Sequence, residues 1–161
     1  MGRHGKHQKK DNRGFSLIEL IIVMVIMAVL VGIVGMQVIP YIAKAHKSKD
    51  IQKISSYCTD AVTAYTACAA SLDETETYTI QAVKGAAGWT VSTKDSSGNS
   101  CSLLNEEFIS LNNIDTDAPE FFSKEGQKID KINIVCKNTK PSIYLTVEGP
   151  EHPDEFTVDA K

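Results

Sequence analysis

Arginine is almost absent from this chain: both copies lie within the first 13 residues, and none follows. Guanidinium groups make the bidentate contacts to phosphates that many nucleic-acid-binding proteins use. The whole chain has 20 acidic and 17 basic residues, and residues 15–161 alone carry 19 acids against 12 lysines. This shortage of positive charge argues against direct binding of nucleic acid by the chain.

Motifs for metal binding and catalysis are also missing. The cysteines and histidines form no close Cys-x-x-Cys or Cys/His cluster of the kind that holds zinc. No histidine stands in a motif with a nucleophile or carboxylate partner, and no glycine-rich phosphate loop occurs. The paired acids, such as Asp154 and Glu155, are typical of a solvated surface. We therefore predict that the chain is not an enzyme and uses no cofactor or metal.

A long apolar run dominates the N-terminal part of the chain. Leu20 to Met36 contain no charge and no strongly polar side chain. The flanking apolar residues extend the run to about 20 residues, the length of a membrane-spanning helix. Glu19 places a carboxylate at the start of this run, where an unpaired charge is unfavourable, although less so than at the bilayer centre. We infer that Glu19 has a partner.

A basic segment precedes the apolar run and ends in glycine. Residues 1–14 contain five basic side chains and one acid, which favours a cytoplasmic N-terminus. In an ordinary secretory signal the small residues at the cleavage site follow the apolar stretch, whereas here Gly14 comes before it. Cleavage after Gly14 would remove only the basic leader. It would create a new α-amino group on Phe15, four residues from Glu19.

The basic leader, Gly14, the segment from Phe15 to Glu19 and the apolar run together resemble the class III signal of type IV pilins and pseudopilins. The resemblance implies that a prepilin peptidase cleaves between Gly14 and Phe15 and that the new Phe15 amine is N-methylated. It also implies that Glu19 pairs with the terminal amine of a neighbouring subunit during assembly.

The function implied by this resemblance is that of a structural subunit of a type IV pilus filament. Before assembly it would be a single-pass membrane protein in contact with lipid, and afterwards part of a cell-surface pilus. The implied partners are identical and related pilin subunits, a prepilin peptidase/N-methyltransferase, a platform membrane protein and an assembly ATPase. Two alternatives stay open: a pseudopilin of a type II secretion or DNA-uptake machine, and a non-polymerising single-pass anchor that displays a binding domain.

A second periodic pattern continues beyond the apolar run. Apolar residues recur every three or four positions from Ile51 to Leu72, which predicts an amphipathic helix packed on the chain's own C-terminal part. Asp50 is expected on another face, as a polar residue. A helix from Phe15 to Leu72 would have 58 residues, with Pro40 as a possible kink inside it. The apolar stripe consists of Ile51, Ile54, Cys58, Ala61, Tyr65, Cys68 and Leu72.

The rest of the chain predicts a small α+β head. Alternating apolar and polar residues predict strands, and a short helix is expected from Leu103 to Leu111. We expect an α+β fold in which a long N-terminal helix packs against a small antiparallel sheet, whose last three strands form a meander. The predicted strands are 78–83, 89–93, 132–137, 143–148 and a last one at 156–158, with a turn at 138–141. The predicted domains are the leader 1–14, the apolar helix 15–40, its amphipathic extension 41–72 and the head 73–161.

Four cysteines, Cys58, Cys68, Cys101 and Cys136, suggest disulfide bonds in an exported domain with a modest core. Cys58 and Cys68 are ten residues apart, roughly 15 Å along a helix, which exceeds the Cα separation of about 7 Å that a disulfide spans. We predict two helix-to-head bridges, one helix cysteine with Cys101 and the other with Cys136, without assigning which. The alternatives are a single Cys101–Cys136 bridge and four reduced thiols.

Overall fold

The computed structural model describes residues 15–114, 119–138 and 143–160. In these residues a long N-terminal helix precedes a small antiparallel sheet, an α+β fold with a pilin-like layout that confirms the predicted fold class. The predicted leader 1–14, with Gly14, lies outside the described residues, as does most of the predicted turn at 138–141. The elements are α1 (Leu17–Cys68), β1 (Tyr78–Gly85), β2 (Gly88–Lys94), α2 (Ser102–Asn112), β3 (Lys131–Cys136), β4 (Ile143–Glu148) and β5 (Val158–Ala160).

The chain divides into two compact units between Tyr41 and Ile42. The described part of the first unit is helical from Leu17 onward, and its apolar side chains are exposed: Phe15 is 90% and Met36 84% exposed. Its most apolar window has a mean hydropathy of 3.1, and none of that window is buried. By length and composition this helix can cross a bilayer, which fits a single-pass membrane protein.

The α1 helix is uninterrupted for 52 residues, although it contains Pro40. It is nevertheless shorter than predicted, because it ends at Cys68, a 3₁₀ turn follows, and Leu72 is extended. The chain turns at Asp73, whose backbone N–H donates to the Tyr78 hydroxyl (3.0 Å) and whose carboxylate accepts the Thr75 N–H (2.9 Å). These contacts direct the chain toward β1 instead of extending the helix.

The sheet of the second unit has the strand order β2-β1-β3-β4-β5, with every neighbouring pair antiparallel. The meander predicted for the last three strands is confirmed for β3, β4 and β5. The β1–β2 hairpin precedes α2, and the chain then returns to pair β3 with the free edge of β1. The last strand was placed too early: Phe156 belongs to a 3₁₀ turn that begins at Pro153, and β5 begins at Val158.

The core of the second unit lies between the second half of α1 and one face of the sheet. Burial alternates along the strands, so that Ile80, Ile134 and Leu145 share the inner face. Burial of each such large apolar side chain contributes about 1.5–3 kcal/mol. From the helix, the buried apolar residues are Ile54, Tyr57, Cys58, Ala61, Ala64 and Cys68. Four residues of the predicted stripe are thus fully buried, and its other three are partly buried.

Gly149 follows β4 in a left-handed conformation with φ of +114°, packed closely against another segment. A Cβ atom there would lie 2.1 Å from the carbonyl oxygen of Lys128 and 3.0 Å from the amide nitrogen of Asp130. That amide donates to the carbonyl of Glu148 (3.0 Å) and cannot simply move away. We expect Gly149→Ala to lower the free energy of unfolding by about 3 kcal/mol or more. Urea denaturation of the detergent-solubilised chain measures this loss.

Gly98 provides a matched control for this prediction. It also has a positive φ, +87°, but a Cβ atom there would meet nothing within 4 Å. Gly98→Ala should therefore cost only the backbone strain, about 1 kcal/mol. Equal losses for the two variants would contradict the steric argument for Gly149.

Candidate functional site

Two of the residues predicted for processing and assembly, Phe15 and Glu19, lie at the N-terminal end of α1. Phe15 and Ser16 precede the helix, and the Ser16 carbonyl accepts the Leu20 N–H at 3.3 Å, which closes the first turn. Glu19 is the third residue of the helix, and its Oε2 accepts the backbone N–H of Ser16 at 2.9 Å. This contact is half of a capping box, in which the third helical residue binds back to the cap.

The contact to Ser16 fixes the Glu19 carboxylate at the end of the helix. Backbone N–H groups of the first turn carry partial positive charge, so an acid at this position is stabilised before any second chain arrives. A carboxylate accepts several hydrogen bonds, and one to Ser16 leaves capacity for a cation. Sequence reasoning missed the contact, although a serine followed three residues later by glutamate is the pattern of a capping box.

Among the described residues 15–43, Glu19 is the only charged side chain. Glu19 lines a shallow groove with four apolar residues, Phe15, Leu20, Val23 and Met24. All of these side chains are exposed. The arrangement can bind another apolar helix, provided that the partner brings a positive charge to the carboxylate.

Comparison with known families identifies the N-terminal segment. Residues 9–35 match the family described as the prokaryotic N-terminal methylation motif. The match includes Gly14, Phe15, Glu19 and most of the apolar run. It confirms the resemblance noted in the sequence: this segment is a prepilin class III signal followed by a long apolar helix. No curated protein and no solved structure matches the chain.

The matched motif defines a class of protein. It marks prepilin-like proteins of the type IV pilin and pseudopilin kind, which are structural and not enzymatic. It implies processing by a prepilin peptidase and assembly with other pilin subunits. These implications are carried by residues 9–35 and do not depend on the head.

Asp50 is fully buried, contrary to the expectation that it lies on an outer face of the helix. Its carboxylate accepts the backbone N–H groups of Phe122 and Ser123, each at 2.8 Å, and also the Ser123 hydroxyl. The Ser123 Oγ in turn accepts the Gly126 N–H at 2.9 Å. We call Asp50, Phe122, Ser123 and Gly126 the Asp50 anchor. A buried carboxylate is tolerated here because several donors satisfy it.

The first helical turns of the second unit make further contacts around the Asp50 anchor. The Phe122 ring lies 6.1 Å from the His46 ring and 5.5 Å from the Lys49 Nζ, both measured to its centroid. Lys47 forms an ion pair with Glu155, one of the acids expected to be solvated. Residues 46–50 therefore hold two separate loops of the head on the helix.

The four cysteines lie in two neighbourhoods. Cys58 and Cys136 both belong to the buried core, and burial raises the pKa of the Cys136 thiol to about 12, with the nearby Cys58 thiol adding to the rise. Cys68 and Cys101 lie near the start of α2, and burial raises the pKa of Cys68, with Glu107 and Cys101 adding. No disulfide bond joins these four described residues, so the bridges stay a prediction.

Proposed function

We propose that the chain is a structural subunit of a type IV pilus filament, processed after Gly14 and polymerised through the apolar part of α1. The observation that carries the proposal is the prepilin signal at residues 9–35, joined directly to a helix with exposed apolar side chains. An apolar surface of this extent requires either lipid or other apolar helices around it. A filament of stacked helices supplies the second environment once the subunit leaves the membrane.

Processing and assembly are linked through one new charge. Cleavage after Gly14 converts the Phe15 amide into a protonated amine, which the Glu19 carboxylate of an adjacent copy can neutralise. In apolar surroundings the two charges attract strongly, but both lose hydration, so the pair contributes register and specificity more than net stability. The intrachain contact to Ser16 supports this role, because it presents the carboxylate in one orientation.

The proposed partners follow from these steps. A prepilin peptidase/N-methyltransferase cleaves and methylates the precursor, and a platform protein and an assembly ATPase drive extraction from the membrane. Before extraction the subunit spans the membrane once, with its N-terminus in the cytoplasm. The α+β head then forms the outer surface of the filament.

Mass spectrometry of the mature N-terminus tests the proposal. In a host with an active prepilin peptidase, we expect the chain to begin at Phe15 and to carry one extra methyl group on its amine. Gly14→Val should block cleavage and leave the precursor intact, because the peptidase requires a small residue before the cut. Gly5→Val, in the same leader, is the matched control and should be processed normally. Wild-type protein that retains Met1 in such a host would overturn the proposal.

A further inference from the structure

The end of β3 at Cys136 packs against the buried face of α1. Cys136 is the last residue of β3 and pairs with Tyr78, the first residue of β1. The Tyr78 ring meets the ring of Tyr65 on α1, with centroids 6.3 Å apart. Cys58 is two helical turns before Tyr65 on the same face, and both Cys58 and Cys136 are almost completely buried there. The Cys136 thiol therefore faces α1 between Cys58 and Tyr65.

Cys68 faces a different part of the head. Its Sγ lies 3.9 Å from the carbonyl oxygen of Leu103, in the first turn of α2. Cys101 immediately precedes that turn and is fixed by two backbone hydrogen bonds, from its N–H to Thr93 (3.0 Å) and from Asn105 to its carbonyl (3.2 Å). The end of α1 thus meets the start of α2 at these two cysteines.

We propose that two disulfide bonds, Cys58–Cys136 and Cys68–Cys101, join α1 to the head in the exported protein. The proposal goes beyond the filament function and does not depend on it. It also resolves the pairing that the cysteine spacing left open. Each bridge would lie at one of the two contacts described above.

The structure also disfavours a bond within the helix and a bond within the head. Cys58 and Cys68 lie in one uninterrupted helix, roughly 15 Å apart. Cys101 binds the outer edge of β2, and β2 and β1 both separate it from β3, which corresponds to about 14 Å of sheet. A Cys101–Cys136 bridge would need Cα atoms within about 7 Å of each other.

Formation of each bridge releases two protons and two electrons from a pair of thiols. We assign the oxidant to the class of disulfide-bonded thiol oxidoreductases: its own disulfide is reduced to two thiols as the protein disulfide forms through a mixed disulfide. The attacking species is a thiolate. Because burial raises the pKa of Cys136 to about 12, thiolate is scarce in the folded head. The Cys58–Cys136 bridge is therefore expected to form while the head folds.

Peptide mapping of the chain from the membrane fraction, whether or not residues 1–14 have been removed, tests the pairing. The protein is isolated from its host, blocked with N-ethylmaleimide and digested without reductant. Trypsin alone leaves Cys58 and Cys68 together in residues 54–84, so a second protease that cleaves before aspartate is needed to separate them at Asp60. We expect residues 54–59 linked to 132–137, and residues 60–72 linked to 95–114. Any other linkage, or four N-ethylmaleimide-labelled cysteines, would overturn the proposal.

Thermal unfolding of the detergent-solubilised chain gives an independent readout. Cys58→Ala and Cys136→Ala should each lower the Tm of the oxidised protein by about 10 °C or more. The Tm of the Cys58→Ala/Cys136→Ala double variant should be little lower than that of either single variant, because both substitutions remove the same bridge. Cys58→Ala combined with Cys68→Ala removes both bridges, so its loss of Tm should equal the sum of the losses of the two single variants. With reductant, Cys58→Ala should approach the reduced wild type. Additive losses for Cys58 and Cys136 would refute the bridge between them.

Discussion

Replacement of Glu19 by alanine is expected to reduce surface filaments about a hundred-fold or more, while cleavage and membrane insertion continue. Removal of one partner from a buried ion pair leaves the other charge unpaired, at a cost of about 3–5 kcal/mol. Each 1.4 kcal/mol corresponds to about a tenfold change in an equilibrium constant. Shearing of filaments from cells, followed by immunoblotting and electron microscopy, measures the loss. The N-terminal mass of the membrane fraction shows whether Phe15 is still exposed by cleavage.

Glu19→Gln separates the two roles of this side chain. The glutamine amide oxygen can still accept the Ser16 N–H, which is 2.9 Å from the carboxylate in the structure, so the capping contact survives. The negative charge is lost, so the amine of the neighbouring subunit has no counter-ion. We therefore expect Glu19→Gln to assemble as poorly as Glu19→Ala. Normal filaments with Glu19→Gln would mean that helix capping, and not charge pairing, is the function of Glu19.

The N-terminal signal could be predicted because its information is local. Gly14, Phe15 and Glu19 lie within six residues, and the apolar run follows without interruption. The strands of the head were also found, because period-two alternation is a property of each strand alone. The strand order was not, since the pairing of β1 with β3 joins residues such as Thr79 and Val135, which are far apart in the chain.

The Asp50 anchor shows why residue type can mislead where periodicity does not. Position 50 is one helical turn before Ile54, so the helical period places it on the buried face. Its charge nevertheless suggested an exposed position. The donors that make its burial possible come from Phe122 and Ser123, 72 and 73 residues later in the chain. No local pattern at position 50 contains that information.

The sequence alone could also predict the cysteine pairing only in part. Spacing along one helix could exclude a bond between Cys58 and Cys68, because the helical rise is known. The proposed assignment of each helix cysteine to a head cysteine required the position of β3 and of the start of α2. Both positions depend on the long-range packing that the sequence pattern does not reveal.

The Asp50 anchor leads to the second large expected effect, which concerns stability. Asp50→Ala would leave two backbone N–H groups and the Ser123 hydroxyl buried without their acceptor. Each unsatisfied buried donor costs about 1–3 kcal/mol. We expect a total loss of about 4 kcal/mol in the free energy of unfolding. The ring centroids of the single tryptophan, Trp89, and of Phe121 are 6.4 Å apart. Tryptophan fluorescence during urea denaturation therefore reports on the loop that contains Phe121, Phe122 and Ser123.

Asp60→Ala is the matched control on the same helix. Asp60 is half-buried, and burial raises the pKa of its carboxyl, with Lys53 opposing the rise. A raised pKa in the folded state means that ionisation at neutral pH favours the unfolded chain. Removal of this carboxyl should therefore be neutral or slightly stabilising, within about 0.5 kcal/mol. Similar losses for Asp50→Ala and Asp60→Ala would contradict the anchor.

Gly126 provides a further test of the Asp50 anchor, because the close packing around it leaves no room for a side chain. A Cβ atom at this position would lie 2.3 Å from the Asp50 Oδ2 and 2.9 Å from the Ser123 Oγ. Gly126→Ala alone should lower the free energy of unfolding by about 2–3 kcal/mol through this clash. In Asp50→Ala the nearest obstacle is gone, so the added methyl group should cost much less. We therefore expect the double variant to lose less than the sum of the single losses, since residues in contact couple. Strict additivity would mean that the added methyl group is opposed by Ser123 and not by Asp50.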